Sequence, residues 1–178
     1  MLNKDTFVGK IQLFPGDMEA IFEVASKGKT YVEIGTFWGA SACIAGLAGC
    51  EVYCIDPFRD YEDRFLPGPT PTDVMKNWIG QGLNPDGLHI YPYYHPPWPV
   101  EINRRFDVGL IDGDHSWEAV NADFAGMGHR VNYLMLHDIN MGGVRAVWNA
   151  EKKELGIWRE YTVKTTEKNI MGILERRE

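Results

Sequence analysis

The chain turns from an apolar strand into a helix of small residues within residues 32–42, Val32-Glu33-Ile34-Gly35-Thr36-Phe37-Trp38-Gly39-Ala40-Ser41-Ala42. Gly35 lies where the strand becomes a loop, and Gly39 lies where the helix begins. Glycine permits tight backbone geometry and the close approach of a ligand. The helix N-terminus presents free N–H groups and a partial positive charge, which suit a carboxylate, and Ser41 adds a hydroxyl. The segment predicts a strand–loop–helix unit that binds an anionic group.

On either side of this segment, apolar runs of strand length alternate with stretches of helix length. This alternation is typical of a parallel α/β sheet. We expect strands at residues 30–34, 51–55, 88–91, 107–111, 131–136, 158–165 and 170–175, and helices at 15–26, 40–48, 73–82, 116–124 and 144–155. The prediction is one domain, residues 1–178, with a mostly parallel seven-stranded sheet, helices on both faces and an antiparallel C-terminal hairpin that turns at Glu167-Lys168-Asn169.

Composition narrows the classes of function. The formal net charge is -7 and no basic stripe interrupts the acidic background, which argues against a nucleic acid as the main partner. The N-terminus carries no signal-peptide pattern, and no stretch approaches the roughly 18 apolar residues of a membrane span. The spacing of Cys43, Cys50 and Cys54 matches no zinc or redox motif. We expect buried free thiols in a cytoplasmic protein without membrane contacts.

Polar residues are concentrated where the predicted strands end. They are Glu33 and Gly35 after the first strand, Asp56 after the second, residues 112–115 after the fourth, and His137-Asp138 after the fifth. In open α/β sheets, ligands bind outside the carboxyl ends of the strands. The sequence therefore predicts one site that these strand ends share.

The first two of these strand ends resemble motifs I and II of the class I S-adenosylmethionine (SAM)-dependent methyltransferases. The glycines follow the pattern E-x-G-x-x-x-G, the dehydrogenase pattern G-x-G-x-x-G is absent, and the loop is similar to that of small-molecule O-methyltransferases. The resemblance implies that Glu33, Gly35 and Ser41 flank the methionine part of SAM and that Asp56 holds the ribose. It also implies cofactor contacts from Thr36, Phe37, Gly39 and Asp112, with Phe58 or Tyr93 stacked near adenine.

A second resemblance covers the acceptor end. Residues 106–118 read FDVGLIDGDHSWE, similar to the I-D-G-D-H motif of a methyltransferase branch, and the two resemblances together span residues 30–150. Related O-methyltransferases hold Mg²⁺ with carboxylates of the fourth and fifth strand ends. By position, this implies Asp112, His137 and Asp138 as ligands of Mg²⁺ or another divalent ion, and His115 with Asp138 as catalytic residues.

The same residues have plainer interpretations, which the sequence leaves open. The usual acidic pair, or Asp followed by Asn, is replaced by His137-Asp138, and histidine also suits a softer ion. Asp112 can contact the amino group of SAM without any metal. His115 can serve as a capping or sheet-edge hydrogen-bonding group, His137 can be buried against a backbone partner, and Asp114 can cap the helix that begins near Ser116.

Two aromatic segments border the predicted site. Tyr91, Tyr93, Tyr94 and Trp98 follow the third strand among several prolines, and Arg59, Tyr61, Arg64 and Phe65 follow the second. Both segments can contact substrate or adenine, or simply pack on the core. The short stretch before the first helix leaves the acceptor site either open or completed by self-association as a homo-oligomer.

The prediction is methyl transfer from SAM to a small-molecule acceptor. A hydroxyl oxygen is the preferred acceptor atom, and nitrogen is the alternative. The alternatives are a hydroxylase-like relative of the same fold and a non-catalytic SAM-binding or assembly subunit. Asp112, His115 and Asp138 favour the enzyme, since a binding module needs the glycine loop but not these three residues.

Overall fold

The computed structural model describes residues 2–58, 68–154, 157–164, 166 and 170–177. For residues 151–154 and 164 it describes the backbone only. The segment predicted to close over the site, with Arg59, Tyr61, Arg64 and Phe65, lies outside the described residues. So does the predicted hairpin turn, Glu167-Lys168-Asn169.

Seven strands form one sheet in the order β3-β2-β1-β4-β5-β7-β6. They are β1 (Thr30–Ile34), β2 (Glu51–Ile55), β3 (Leu88–Tyr91), β4 (Phe106–Ile111), β5 (Val131–Leu136), β6 (Trp158–Lys164) and β7 (Ile170–Arg176). The first five strands are parallel, whereas β7 runs antiparallel to both β5 and β6. The predicted mostly parallel sheet with an antiparallel C-terminal hairpin is confirmed.

Within the described residues, five α-helices cover the two faces of the sheet. They are α1 (Pro15–Ala25), α2 (Ala40–Leu47), α3 (Pro71–Gly80), α4 (Trp117–Met127) and α5 (Gly142–Glu154). Apolar residues of α1, α2 and α3 share one core cluster with β1 and β2, and those of α4 and α5 share a second with β4 and β5. This confirms helices on both faces, because alternate side chains of a strand enter opposite cores.

Three helix starts differ from the prediction: α5 begins at Gly142 instead of residue 144, and α3 and α4 begin where their caps place them. Thr70 caps α3, accepting from the Asp73 backbone N–H, and Pro71 occupies the first turn in place of a start at residue 73. Proline suits that position because the N–H it lacks has no partner there. Ser116 caps α4 by accepting from the Ala119 backbone N–H, whereas Asp114 accepts the N–H of Ser116. Asp114 therefore supports the cap and is not itself the cap.

All three cysteines are buried free thiols, as predicted. Burial raises the pKa of the Cys43 thiol to about 12 and that of Cys50 to about 11. A thiol with so high a pKa is a weak nucleophile and metal ligand at neutral pH. None of the described helices is both long and apolar enough to span a membrane.

Candidate functional site

The strand order switches direction between β1 and β4, since β2 and β3 lie on one side of β1 and β5 lies beyond β4. The connections after β1 and β4 therefore leave on opposite sides of this point and open a crevice at the carboxyl edge of the sheet. A cleft of about 1290 Å³ occupies this place. It exceeds the usual 300–1,000 Å³ of a small-molecule pocket, so it has room for a cofactor and an acceptor together. Its lining includes Gly35, Thr36, Phe37, Ser41, Asp56, Tyr93, Asp112, His115, His137 and Asp138.

Three residues other than glycine have positive φ angles among those described, and all three follow strands at this edge. They are Phe37 (52°) after β1, Phe58 (49°) after β2 and Asp138 (55°) after β5. Side chains other than Gly, Asn and Asp rarely adopt this region, and such strain is concentrated at functional sites. The sequence predicted these three residues as site residues, but it did not predict their positive φ angles, because backbone strain leaves no pattern in the sequence.

The glycine loop packs closely against the backbone that follows β4. Gly35 has a φ of 90°, and a Cβ there would stand 2.1 Å from the carbonyl oxygen of Asp112. Gly39 caps α2 with a φ of 79°, and a Cβ there would lie 2.7 Å from a methyl of Val74. Only glycine fits either place. The loop and the start of α2 line the cleft through Gly35, Ala40 and Ser41.

Asp56 links the first loop to the second. Its Oδ2 accepts the backbone N–H groups of Thr36 and Phe37, both at 2.8 Å, and its Oδ1 accepts that of Phe58 at 2.7 Å. The side chain lines the cleft although the residue as a whole is buried. Asp56 therefore organises the glycine loop, a role that the resemblance did not include.

Glu33 is completely buried beneath the same loop. Its carboxylate accepts from the Tyr31 hydroxyl at 3.1 Å and from the Cys54 thiol at 3.5 Å. Burial raises the pKa of Glu33 to about 7, although hydrogen bonds from Ser41 and other neighbours lower it. A carboxyl in this environment gains or loses its charge near neutral pH.

The acceptor end brings three predicted residues together. Asp112, His115 and Asp138 each offer one ligand atom, and these atoms lie within 4.8 Å of one another. His115 Nε2 lies 3.9 Å from Asp112 Oδ1 and 3.9 Å from Asp138 Oδ2, too far for hydrogen bonds. The group that can close on one ion thus contains His115 where the sequence indicated His137.

His137 lies behind this group and is buried. Its Nδ1 is 3.1 Å from Asp112 Oδ1 and 3.3 Å from Asp138 Oδ2, and its Nε2 is 3.4 Å from Asp17 Oδ1. Burial lowers the pKa of His137, but the three carboxylates outweigh it and raise the pKa to about 12. Both ring nitrogens of His137 therefore face carboxylates, from α1 on one side and from the ends of β4 and β5 on the other.

Asp138 retains an acceptor for a ligand. Its Oδ1 is buried and has no hydrogen-bond partner within the described part of the chain. A buried polar atom without a partner is rare and points to a bound water, ion or ligand. Together with the strained backbone of this residue, the atom marks the end of β5 as a binding position.

The aromatic segment after β3 forms the opposite wall. Tyr93 and Tyr94 are about half exposed on the cleft, whereas Phe58 packs against the core of the α1–α3 face. Of the two predicted adenine contacts, only Tyr93 therefore borders the cleft. The next residue, His95, hydrogen-bonds through Nδ1 to Asp123 Oδ1 at 2.8 Å, and both side chains are almost fully buried. This pair ties the segment to α4 and was missed from the sequence.

Comparison with solved structures places this architecture among methyltransferases. The O-methyltransferase NovP superposes with a TM-score of 0.72 at 14% identity, over 92% of this chain and 80% of NovP. The chain has the methyltransferase fold. An O-methyltransferase from Bacillus cereus in complex with S-adenosylhomocysteine (SAH) matches at 0.66 and 12% identity, over 97% of this chain and 85% of that one. An rRNA methylase from Streptococcus thermophilus matches at 0.66 and 11%, over 95% and 100%.

Sequence comparison adds no relative. No family profile matches the chain, and neither does any curated protein sequence. The similar structures include an O-methyltransferase and an rRNA methylase, so this fold by itself does not specify an acceptor.

Proposed function

We propose that the protein is a SAM-dependent methyltransferase that methylates a hydroxyl oxygen of a small molecule. The observation that carries the proposal is the meeting of two features in one cleft. The glycine loop and α2 N-terminus form one end, and the group Asp112, His115 and Asp138 forms the other. A cofactor-binding module requires only the first, whereas proton removal from an acceptor requires the second.

The cofactor end suits SAM in charge and shape. The first turn of α2, with Ser41, would receive the carboxylate of the methionine part, and Gly35, Thr36, Phe37 and Gly39 would supply the close backbone. Glu33 would flank the methionine part of SAM from beneath the loop. Asp56 would face the ribose while it holds the loop, and Asp112 would accept from the SAM amino group. Tyr93 would border the adenine.

The acceptor end supplies positioning and a proton acceptor. SAM carries an already activated methyl group, so the protein needs only to align the acceptor oxygen and receive its proton. His115 has a side chain about one-third exposed, and Asp112 raises its pKa, which makes the neutral imidazole a stronger proton acceptor. Asp138, which lines the cleft and whose Oδ2 lies 3.9 Å from His115 Nε2, would orient the acceptor hydroxyl.

A divalent ion also fits the acceptor end. Asp112, His115 and Asp138 would hold it, since two carboxylates and an imidazole form a suitable donor set. When bound, such an ion lowers the pKa of a coordinated hydroxyl. His115 cannot serve as ligand and as proton acceptor at once, so the two modes predict different metal dependence.

Isothermal titration with SAM and SAH tests the cofactor site. We expect micromolar binding by the wild type, lost or weakened at least tenfold in Asp56→Asn, because a side-chain amide cannot accept all the N–H groups that the carboxylate accepts. Asp86→Asn, at an exposed turn after α3, is the matched control. Absence of SAM and SAH binding in the wild type would overturn the proposal.

Titration with Mg²⁺ and Mn²⁺ separates the two modes. Binding that Asp138→Asn abolishes favours the metal, whereas SAM binding unaffected by either ion favours His115 as base. An acceptor screen with small phenols, sugars and bulk RNA then tests the substrate class. Methylation of RNA alone would contradict the small-molecule acceptor, and SAM binding without turnover on any acceptor would favour a binding subunit.

A further inference from the structure

Asp17 lies at the acceptor end although it is 120 residues distant in sequence from His137. It is the third residue of α1, and its exposed fraction is 0%. One oxygen, Oδ2, accepts the backbone N–H of Phe14 at 2.8 Å. This bond occupies one carboxylate oxygen at the start of α1, and the other oxygen, Oδ1, faces a different neighbour.

The second oxygen faces His137. Asp17 Oδ1 lies 3.4 Å from Nε2 of that ring, whose opposite nitrogen lies against the carboxylates of Asp112 and Asp138. The backbone of His137 is also fixed, since its N–H donates to the Ile111 carbonyl at 3.1 Å. The ring thus bridges α1 to the ends of β4 and β5.

A helix cap alone does not account for this arrangement. A cap needs one acceptor oxygen and works at the surface, where water solvates the other. Burying a second carboxylate oxygen is unfavourable unless a donor or a positive charge compensates it. The His137 ring, 3.4 Å from this oxygen, is the polar group that the structure places beside it.

We infer that Asp17 is a positioning residue of the proposed methyltransferase site. Asp17 holds the His137 ring so that Nδ1 of this ring orients the Asp112 and Asp138 carboxylates. The inference rests on the proposed function for its consequence, but its geometry can be measured in the ligand-free protein. It makes α1 part of the acceptor end, together with residues 10–14, which line the same cleft. At metal sites, removing such outer groups typically lowers metal affinity or activity about 10–100-fold.

Nitrogen-15 NMR of the histidine rings tests the contact without any ligand. His137→Gln identifies the His137 ring signals by their loss. We expect Asp17→Asn to shift the His137 Nε2 signal, while Glu19→Gln, an exposed carboxyl change on the same helix, leaves it in place. Asn retains a cap acceptor for Phe14, so α1 should stay folded. Unchanged His137 signals in folded Asp17→Asn would overturn the inference.

A double-mutant cycle on SAM affinity tests the consequence. We expect Asp17→Asn to weaken SAM binding about tenfold in the wild type but less than twofold in the His137→Gln background, because one residue acts through the other. If Asp17 had a purely structural role, Asp17→Asn would weaken SAM binding by the same factor in both backgrounds. That result would contradict the inference. If the wild type binds no SAM, the proposed function fails and the NMR result alone decides on Asp17.

Discussion

Replacing Glu33 by Gln should make the protein more stable above neutral pH, although the side chain lies at the proposed cofactor site. The carboxyl is completely buried, and burial raises its pKa from an ordinary 4.5 to about 7. One pKa unit corresponds to about 1.4 kcal/mol, so keeping this group ionised in the fold costs about 3 kcal/mol. Because the pKa is raised, the stability that Glu33 contributes is present below about pH 4.5, falls as the pH rises towards 7, and is absent above it.

Urea unfolding of the ligand-free protein between about pH 4.5 and 8.5 measures this effect. The free energy of unfolding of Glu33→Gln should match that of the wild type at the acidic end and exceed it by up to about 3 kcal/mol at about pH 8. Gln keeps the size of the side chain, and its one carbonyl oxygen can accept from Tyr31 or Cys54 while its amide N–H donates to the other, much as the protonated carboxyl would. Glu19→Gln, an exposed change on α1, is the control. A Glu33→Gln difference that does not vary with pH would refute the reasoning.

Two glycine substitutions test the walls of the cleft. Gly35→Ala should weaken SAM binding at least tenfold and destabilise the fold by more than the ~1 kcal/mol of Ala at a positive φ, since its Cβ would collide with the Asp112 carbonyl. Gly49→Ala, with a φ of 96° and nothing within 4 Å, isolates that backbone effect by calorimetry. Gly126→Ala should lower the melting temperature and loosen the segment after β3, because its Cβ would meet His95 at 2.4 Å. Equal melting temperatures for wild type and Gly126→Ala would show that α4 does not hold this segment.

Much of the fold was accessible from the sequence because its signals are local. The alternation of apolar runs with helix-length stretches predicted the seven strands and five helices, and the prolines and glycines marked most of their ends. The errors were also local. The start of α3 was placed at residue 73 because Thr72 was taken as the cap, whereas Thr70 followed by Pro71 offers both a side-chain acceptor and a favourable first-turn residue.

The sequence predicted those residues of the candidate site that directly follow a strand. Gly35, Asp56, Asp112, His115 and Asp138 all follow parallel strands, whose carboxyl ends must meet at one edge. That rule needs only the strand positions. It does not specify hydrogen-bond partners, so the role of Asp56 in holding the loop after β1 became visible only in the structure.

The sequence by itself determined the strand–loop–helix unit at residues 32–42, the parallel sheet, and the edge where the polar residues lie, because φ preference and hydrophobic periodicity act between near neighbours. The tertiary structure decided which of those residues touch. Asp17 faces His137 and His95 faces Asp123 only because α1 and the segment after β3 pack across the ends of other strands. Such contacts depend on how distant elements bury their apolar faces together, and no local pattern specifies them.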